Sequence, residues 1–157
     1  VFKRELLRIP FFGWAIGRMD MIYIDRGQRT ESLRKVIEQG QRLLGEGAWV
    51  IMFPEGTRIP RGEKGTYMSS GARLAIDCGA PVIPIAVTSA RCWPRKAFVK
   101  KPGIVDISIG PPIATTGRKA HEVMREVETW IETEMRRLDP EAYPTPETPR
   151  STVRPSQ

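Results

Sequence analysis

The side chains best equipped for chemistry in this chain are Glu55 and Arg58, carried together in the run Phe53-Pro54-Glu55-Gly56-Thr57-Arg58. A guanidinium at the carboxyl end of a strand can hold a phosphate through two parallel hydrogen bonds, and ligands of open α/β sheets usually bind at that edge. Glu55 can orient Arg58 or accept a substrate hydroxyl, while Gly56 lets the backbone bend or approach a ligand closely. The same residues also fit an ordinary type I turn with Glu55 and Arg58 as a surface ion pair, and the hexapeptide alone leaves both readings open.

A phosphate pocket here needs a strand to deliver it. Ala48-Trp49-Val50-Ile51-Met52-Phe53 is short, apolar and stopped by Pro54, which predicts a buried strand over 48–53. Residues 21–24 read as an earlier strand. A helix follows over 31–44, with Thr30 as its N-cap and Leu33, Val36, Ile37 and Leu44 on one face. Arg26 and Arg29 precede that helix start, where anions are favoured, so they either add positive potential to the pocket or are solvent-exposed loop arginines.

After a polar, Gly-containing loop, Ala72, Ala75 and Ile76 predict a short helix over 69–78 that ends at Gly79 and Pro81. Residues 82–87 form the next strand, in which Pro84 costs a ladder hydrogen bond and implies an edge, a bulge or a bend. Residues 104–109 alternate Val105, Ile107 and Ile109 with Asp106 and Ser108, the pattern of a strand whose polar face is wet. The last helix, about 119–138, carries Ala120, Val123, Met124, Val127, Trp130, Ile131 and Leu138 at helical spacing, a core stripe. The order β-α-β-α-β-β-α predicts an α/β fold with a mixed, largely parallel sheet flanked by helices. Residues 1–138 form its one domain, and the Pro-rich, apolar-poor residues 139–157 read as a disordered tail.

With 157 residues, 40% of them hydrophobic, the chain can bury one core. No apolar run approaches the ~20 residues that cross a bilayer. Two cysteines, Cys78 and Cys92, make no disulfide framework and read as free thiols, and no metal-ligand cluster or cofactor motif is present. The net charge of +7 is spread over Lys3 to Arg8, Arg91 to Lys101 and Arg118 to Arg137. No nucleic-acid recognition module accompanies it, so anionic headgroups and phosphorylated substrates are the expected partners, with a merely solvated basic surface as the alternative. Leu6, Leu7, Ile9, Phe11, Phe12 and Trp14 cluster near the start; the cluster either dips into a bilayer interface or packs on the core, and Pro10 and Gly13, which break a continuous amphipathic helix, favour packing.

Phe53-Pro54-Glu55-Gly56-Thr57-Arg58 resembles the glycerol-phosphate-binding motif of the lysophosphatidic acid acyltransferases, the 1-acylglycerol-3-phosphate O-acyltransferases of phospholipid synthesis. Other blocks resemble the family in order: the run from Lys3 to Trp14, then Met21-Ile22-Tyr23-Ile24-Asp25-Arg26, and later Val82-Ile83-Pro84-Ile85-Ala86-Val87. The resemblance implies a glycerolipid acyltransferase-like fold and transfer of a fatty acyl group from a thioester donor, acyl-CoA or acyl carrier protein, to the sn-2 hydroxyl of 1-acylglycerol-3-phosphate. No cofactor is implied. It also implies a lysophospholipid acceptor, a membrane surface as partner and the cytoplasmic face of a bacterial-type inner membrane as location. Arg58 and Arg26 would clamp the phosphate, Glu55 and Gly56 would form the shaped floor, Lys3 would add a third cation, and Phe53, Pro54 and Thr57 would complete the substrate-binding set.

Two departures qualify the resemblance. The family's first motif, His-x4-Asp, supplies the general base and should precede Lys3, yet the one histidine is His121. Glu126 follows it at a spacing that points the two side chains well over a right angle apart on a helix. The expectation is a fragment without its catalytic dyad, anchored by a preceding segment or held peripherally, and inactive alone. Many relatives also carry a lysine two residues before a glycine after the third motif, whereas here Tyr67-Met68-Ser69-Ser70-Gly71 lacks it and Lys64-Gly65 lies earlier. An acceptor such as a lyso-ornithine lipid, or a non-catalytic lipid- or phosphate-binding role, therefore stands as the alternative.

Overall fold

The computed structural model describes residues 2–19, 22–24 and 29–143, and of residues 2–5, 23, 24 and 29–33 the backbone alone. β1 (Phe2–Lys3) pairs in parallel with β2 (Tyr23–Ile24), Phe2 opposite Tyr23 and Lys3 opposite Ile24. Between them a 3-10 turn (Arg4–Arg8) passes through Pro10 into α1 (Phe12–Arg18), the proline separating the two because it cannot donate to a continuing helix. The packing expected of this segment is only partly realised. Leu6 and Leu7 are half-buried, but Ile9, Phe11, Phe12 and Trp14 are exposed, and in α1 only Gly13 and Ile16 are buried. A helix of two turns offers the core one narrow stripe, and the aromatic side chains fall outside it.

α2 (Arg29–Gly45) starts before the expected N-cap, so Thr30 lies inside the helix. It buries Val36 and Leu43 with Ile22 and Leu74, and Ile37, Val50, Met52 and Cys78 pack around them. α3 (Ser70–Asp77) lies against both α2 and α4 (Ala120–Leu138), turning Leu74 toward the first cluster and Ala72 toward a second. That second core joins Ala72 to Ile113, Val123, Met124 and Val127, with Ile131 and Ala120 packed on it, as the apolar stripe of α4 predicts. Glu122 caps α4 by accepting a hydrogen bond from the Lys119 N–H at 3.2 Å.

Residues 48–53 form no strand among the described residues, contrary to the expected buried one. The segment keeps a period of two: Val50 and Met52 face the first core while Trp49, Ile51 and Phe53 are exposed. One parallel pair and one antiparallel pair stand in separate two-stranded sheets, so the largely parallel sheet expected from the element order is not formed by the described residues.

The second pair is β3 (Ile85–Val87) against β4 (Ile107–Ile109), antiparallel, with Ala86 opposite Ser108. Val82 bridges Ile113 beyond Pro84, and the register shifts there by one extra residue on the 110–112 side. Pro84 thus sits at a bulge, one of the expected outcomes, and its carbonyl accepts from the Gly110 N–H at 2.9 Å. Gly110 is required by contact: a Cβ would lie 2.6 Å from Trp130 Cε2 and 2.8 Å from Pro84 Cγ.

The polarity of β4 is the reverse of the expected one. Ser108 turns inward and donates to Glu134 Oε2 of α4 at 2.8 Å, and half-buried Asp106 accepts from Arg91 Nη1 at 3.1 Å. Ile107 and Ile109, with Ile85 and Val87 of β3, form an open apolar face. α4 offers Glu134 to Ser108 and the segment after β3 offers Arg91 to Asp106, so the polar residues are the ones satisfied on the inner side.

Asp139, expected to begin the tail, is 1% exposed. Arg61 donates to it through Nε and Nη2, both at 2.7 Å, and Arg91 Nη2 adds a third bond at 3.2 Å. Residues 139–143 close as a turn in which the Ala142 and Tyr143 N–H groups donate to the Asp139 carbonyl. The tail beyond residue 143 lies outside the described residues.

Two outcomes follow for stability. The hydrogen bonds from Arg61, followed by those from Arg91, hold the Asp139 carboxyl below its ordinary 3.8 despite burial. Its contribution is therefore complete above pH 3.8 and lost as pH falls through the lowered value. Asp139→Asn should cost on the order of 2 kcal/mol in urea unfolding at pH 7, and the gap from the parent chain should narrow steadily on acidification below pH 4. Gly110→Ala should cost about 1–3 kcal/mol through displacement of the Trp130 ring, read as a lower urea midpoint at unchanged slope.

Candidate functional site

The hexapeptide is a closed turn. The Gly56 N–H donates to the Phe53 carbonyl at 3.0 Å, and the loop that follows returns to it through the Met68 N–H, which donates to the Pro54 carbonyl at 2.9 Å. Gly56 has φ 63°, and a Cβ there would run into Met68 Cε. Phe53, Thr57 and Arg58 are exposed, whereas Pro54, Glu55 and Gly56 are half-buried beneath them.

Glu55 and Arg58 form no ion pair among the described residues. The Arg58 guanidinium lies 5.0 Å from the centre of the Trp93 ring, with no carboxylate partner among the described residues. Lys100 Nζ lies 4.4 Å from the same ring. Two cations held on one indole leave a positive, donor-rich spot beside the turn, suited to an anion. Trp93 had no signal of its own in the sequence; the basic run around it was visible, but its contact with Arg58 crosses 35 residues of chain.

Asp139 explains the meeting. Arg61 follows Arg58 by three residues and Arg91 precedes Trp93 by two, and both guanidinium groups converge on the one buried carboxylate. The segment after the turn and the segment after β3 are thereby fastened to the end of α4. Trp93 is held in turn by its Nε1–H, which donates to the Ala97 carbonyl at 2.9 Å.

Glu55 looks away from Arg58 toward α4. Burial, and then the nearby Glu132 carboxylate, push its pKa above the ordinary 4.5. Tyr67 donates to Glu132 Oε1 at 3.2 Å, and burial followed by the Glu132 and Glu55 carboxylates raises its phenol pKa as well. Glu55 is thus a wall of the turn, and among the described residues no carboxylate holds Arg58 away from a ligand. Lys64, in the loop that follows the turn, pairs with Glu128 of α4.

Of Lys3 the backbone is described, in β1 opposite Ile24, and Arg26 lies outside the described residues. The structure therefore brings Phe53 to Arg58 together as one turn and leaves the company of the other two cations open. His121 is exposed on α4, 3.9 Å from Glu122, and Glu126 pairs with Arg118 at 2.7 Å instead. A shallow groove of about 610 Å³ runs along α4 between Arg118 and Thr133 and is lined by none of the turn residues. Among the described residues no group of His, Cys, Asp or Glu is placed to hold a metal ion, and no helix is long and apolar enough to cross a membrane.

The chain is 41% identical over 143 residues to a 1-acyl-sn-glycerol-3-phosphate acyltransferase of Pseudomonas aeruginosa, covering 89% of this chain and 56% of the relative. It is 30% identical over 124 residues to the human 1-acyl-sn-glycerol-3-phosphate acyltransferase alpha, covering 77% of this chain and 43% of that protein. The crystal structure of the 1-acyl-sn-glycerophosphate (LPA) acyltransferase PlsC from Thermotoga maritima superposes with a TM-score of 0.73 at 29% identity, over 88% of this chain and 56% of that one. The chain thus spans about half the length of the relatives it matches. The acyltransferase family profile matches residues 1–88, a stretch that contains the whole turn from Phe53 to Arg58, and the chain belongs to the acyltransferase family.

Proposed function

We propose that this chain is the acceptor-binding part of an enzyme that transfers a fatty acyl group from a thioester, acyl-CoA or acyl carrier protein, to the sn-2 hydroxyl of 1-acylglycerol-3-phosphate, forming phosphatidic acid. The observation that carries the reading is Arg58: exposed on a glycine-bent turn, seated on Trp93 and without a carboxylate partner among the described residues. Its fork matches the geometry of a phosphate monoester, and the relatives' names supply the acceptor class. Arg26 and Lys3 are proposed as further cations around the same phosphate. Glu55, with its raised pKa, and Gly56 shape the floor beneath the glycerol.

In the reaction the acceptor oxygen attacks the thioester carbonyl, the C–S bond breaks and the thiol leaves, while a base takes the hydroxyl proton. His121 is exposed on α4, 3.9 Å from Glu122, and is not proposed as that base. The chain's own contribution is positioning: fixing the phosphate fixes where the hydroxyl lies. The open apolar face of Ile85, Val87, Ile107 and Ile109, and the exposed Trp49, Ile51 and Phe53, fit a larger domain in which they are buried in one mixed, largely parallel sheet. Its working location is the cytoplasmic face of a membrane, where the acceptor resides.

In an enzyme completed to the relatives' length, Arg58→Lys should raise the acceptor KM about tenfold or more while kcat changes little, because a lysine keeps the charge and loses the fork. An unaltered acceptor KM removes Arg58 from the clamp. Glu55 gives a second handle through pH. A carboxyl whose folded pKa is raised stabilises the fold least once it is ionised, so stability falls as pH climbs from 4.5 through the raised value. Glu55→Gln should therefore gain stability relative to the parent chain between pH 4 and pH 7, measured as the difference in Tm at each pH.

A further inference from the structure

The loop of residues 93–101 carries an apolar tip among cations. Its base is closed by the Lys101 N–H, which donates to the Cys92 carbonyl at 2.8 Å, and Trp93 folds back onto the Ala97 carbonyl. At its tip Phe98 is 99% exposed and Val99 73% exposed. Arg95, Lys96, Lys100 and Lys101 surround them, and no acidic residue occurs between Cys92 and Val105. Lys96 holds φ 64°, an uncommon conformation for a lysine, kept next to the apolar tip. Arg95, Lys96 and Lys101 are exposed and form no ion pair among the described residues.

An aromatic and a β-branched side chain thrust fully into water, ringed by cations, match a surface where hydrocarbon and anionic phosphate meet. Nucleic acid would also attract the charge, but it would offer Phe98 a base to stack on and Val99 nothing. We infer that residues 93–101 are a membrane-docking loop: Phe98 and Val99 enter the acyl boundary of an anionic bilayer, Arg95, Lys96, Lys100 and Lys101 meet lipid phosphates, and Trp93 holds Arg58 at headgroup depth. The loop's attachment to Arg58 through Trp93 means that the depth of the tip sets the depth of the phosphate clamp. The bilayer contact itself stands on the loop alone; only its consequence for Arg58 rests on the acceptor reading above.

The test is co-sedimentation of the purified 157-residue chain with vesicles of phosphatidylcholine, with and without phosphatidylglycerol. The parent chain should partition onto the anionic vesicles and release as salt rises. Phe98→Ser with Val99→Ser should lower that partition about tenfold or more with every cation retained, and Lys96→Gln with Lys101→Gln should lower it about fivefold per charge. Both changes fall on exposed side chains, and an unchanged Tm shows that the variants are folded. A Phe98→Trp chain should in addition shift its emission to the blue on anionic vesicles beyond the parent's own shift. Equal partition of the Phe98 and Val99 double variant, absence of that shift, or tighter binding to RNA than to vesicles at the same salt would each overturn the proposal. Binding of short-chain, monomeric lysophosphatidic acid is read separately, so loss of acceptor binding with vesicle partition intact counts against the clamp and not against the loop.

Discussion

The buried carboxylate of Asp139 is the constraint on which the candidate site depends. A carboxylate removed from water must be paired and hydrogen-bonded, and here it draws two arginines from distant parts of the chain onto the end of α4. Arg61 brings with it the turn that carries Arg58, and Arg91 brings the segment that carries Trp93. The stack of Arg58 on Trp93 is a consequence of that convergence. Arg91 extends the same network to the Leu138 carbonyl at 2.9 Å and to Asp106, so the sheet, the last helix and the turn share one set of polar contacts.

The hydrophobic contribution is divided differently. α3 joins two small cores, Leu74 in one and Ala72 in the other, and neither core reaches the outer face of β3 and β4. Packing fastens the helices to one another, while polar contacts fasten the chemistry to the helices. This division leaves Phe53 and Arg58 exposed at the rim without loosening the turn that holds them, because its backbone is closed by the Gly56 and Met68 hydrogen bonds.

Much of this was legible in the sequence. The short helix before Gly79, the last helix with its apolar stripe, and an interruption of the ladder at Pro84, left open as an edge, a bulge or a bend, all follow from local periodicity and from the chemistry of proline and glycine. The hexapeptide and its companion blocks also marked the family before any coordinates. The strand expected at residues 104–109, of which Ile107–Ile109 forms, shows where such reading stops. Alternation divides a strand into two faces, but it does not say which face is covered, and here Ser108 turns inward to Glu134 of α4 while Asp106 turns to Arg91 of the segment after β3. The run at residues 48–53 gives the same lesson, since its apolar character implied two buried faces and only Val50 and Met52 turned inward.

By itself the sequence determined the identity of the turn, the positions of the helices that flank it and the kinship of the chain, because each depends on residues close together or on a motif read as a unit. The tertiary structure alone decided that Glu55 turns toward Glu132 and away from Arg58, that Trp93 receives Arg58, and that Asp139 belongs to the core and not to the tail. These are contacts between residues tens of positions apart. They are set by which buried charges must be paired and by which helix face is left to pair them, and local periodicity carries no record of either.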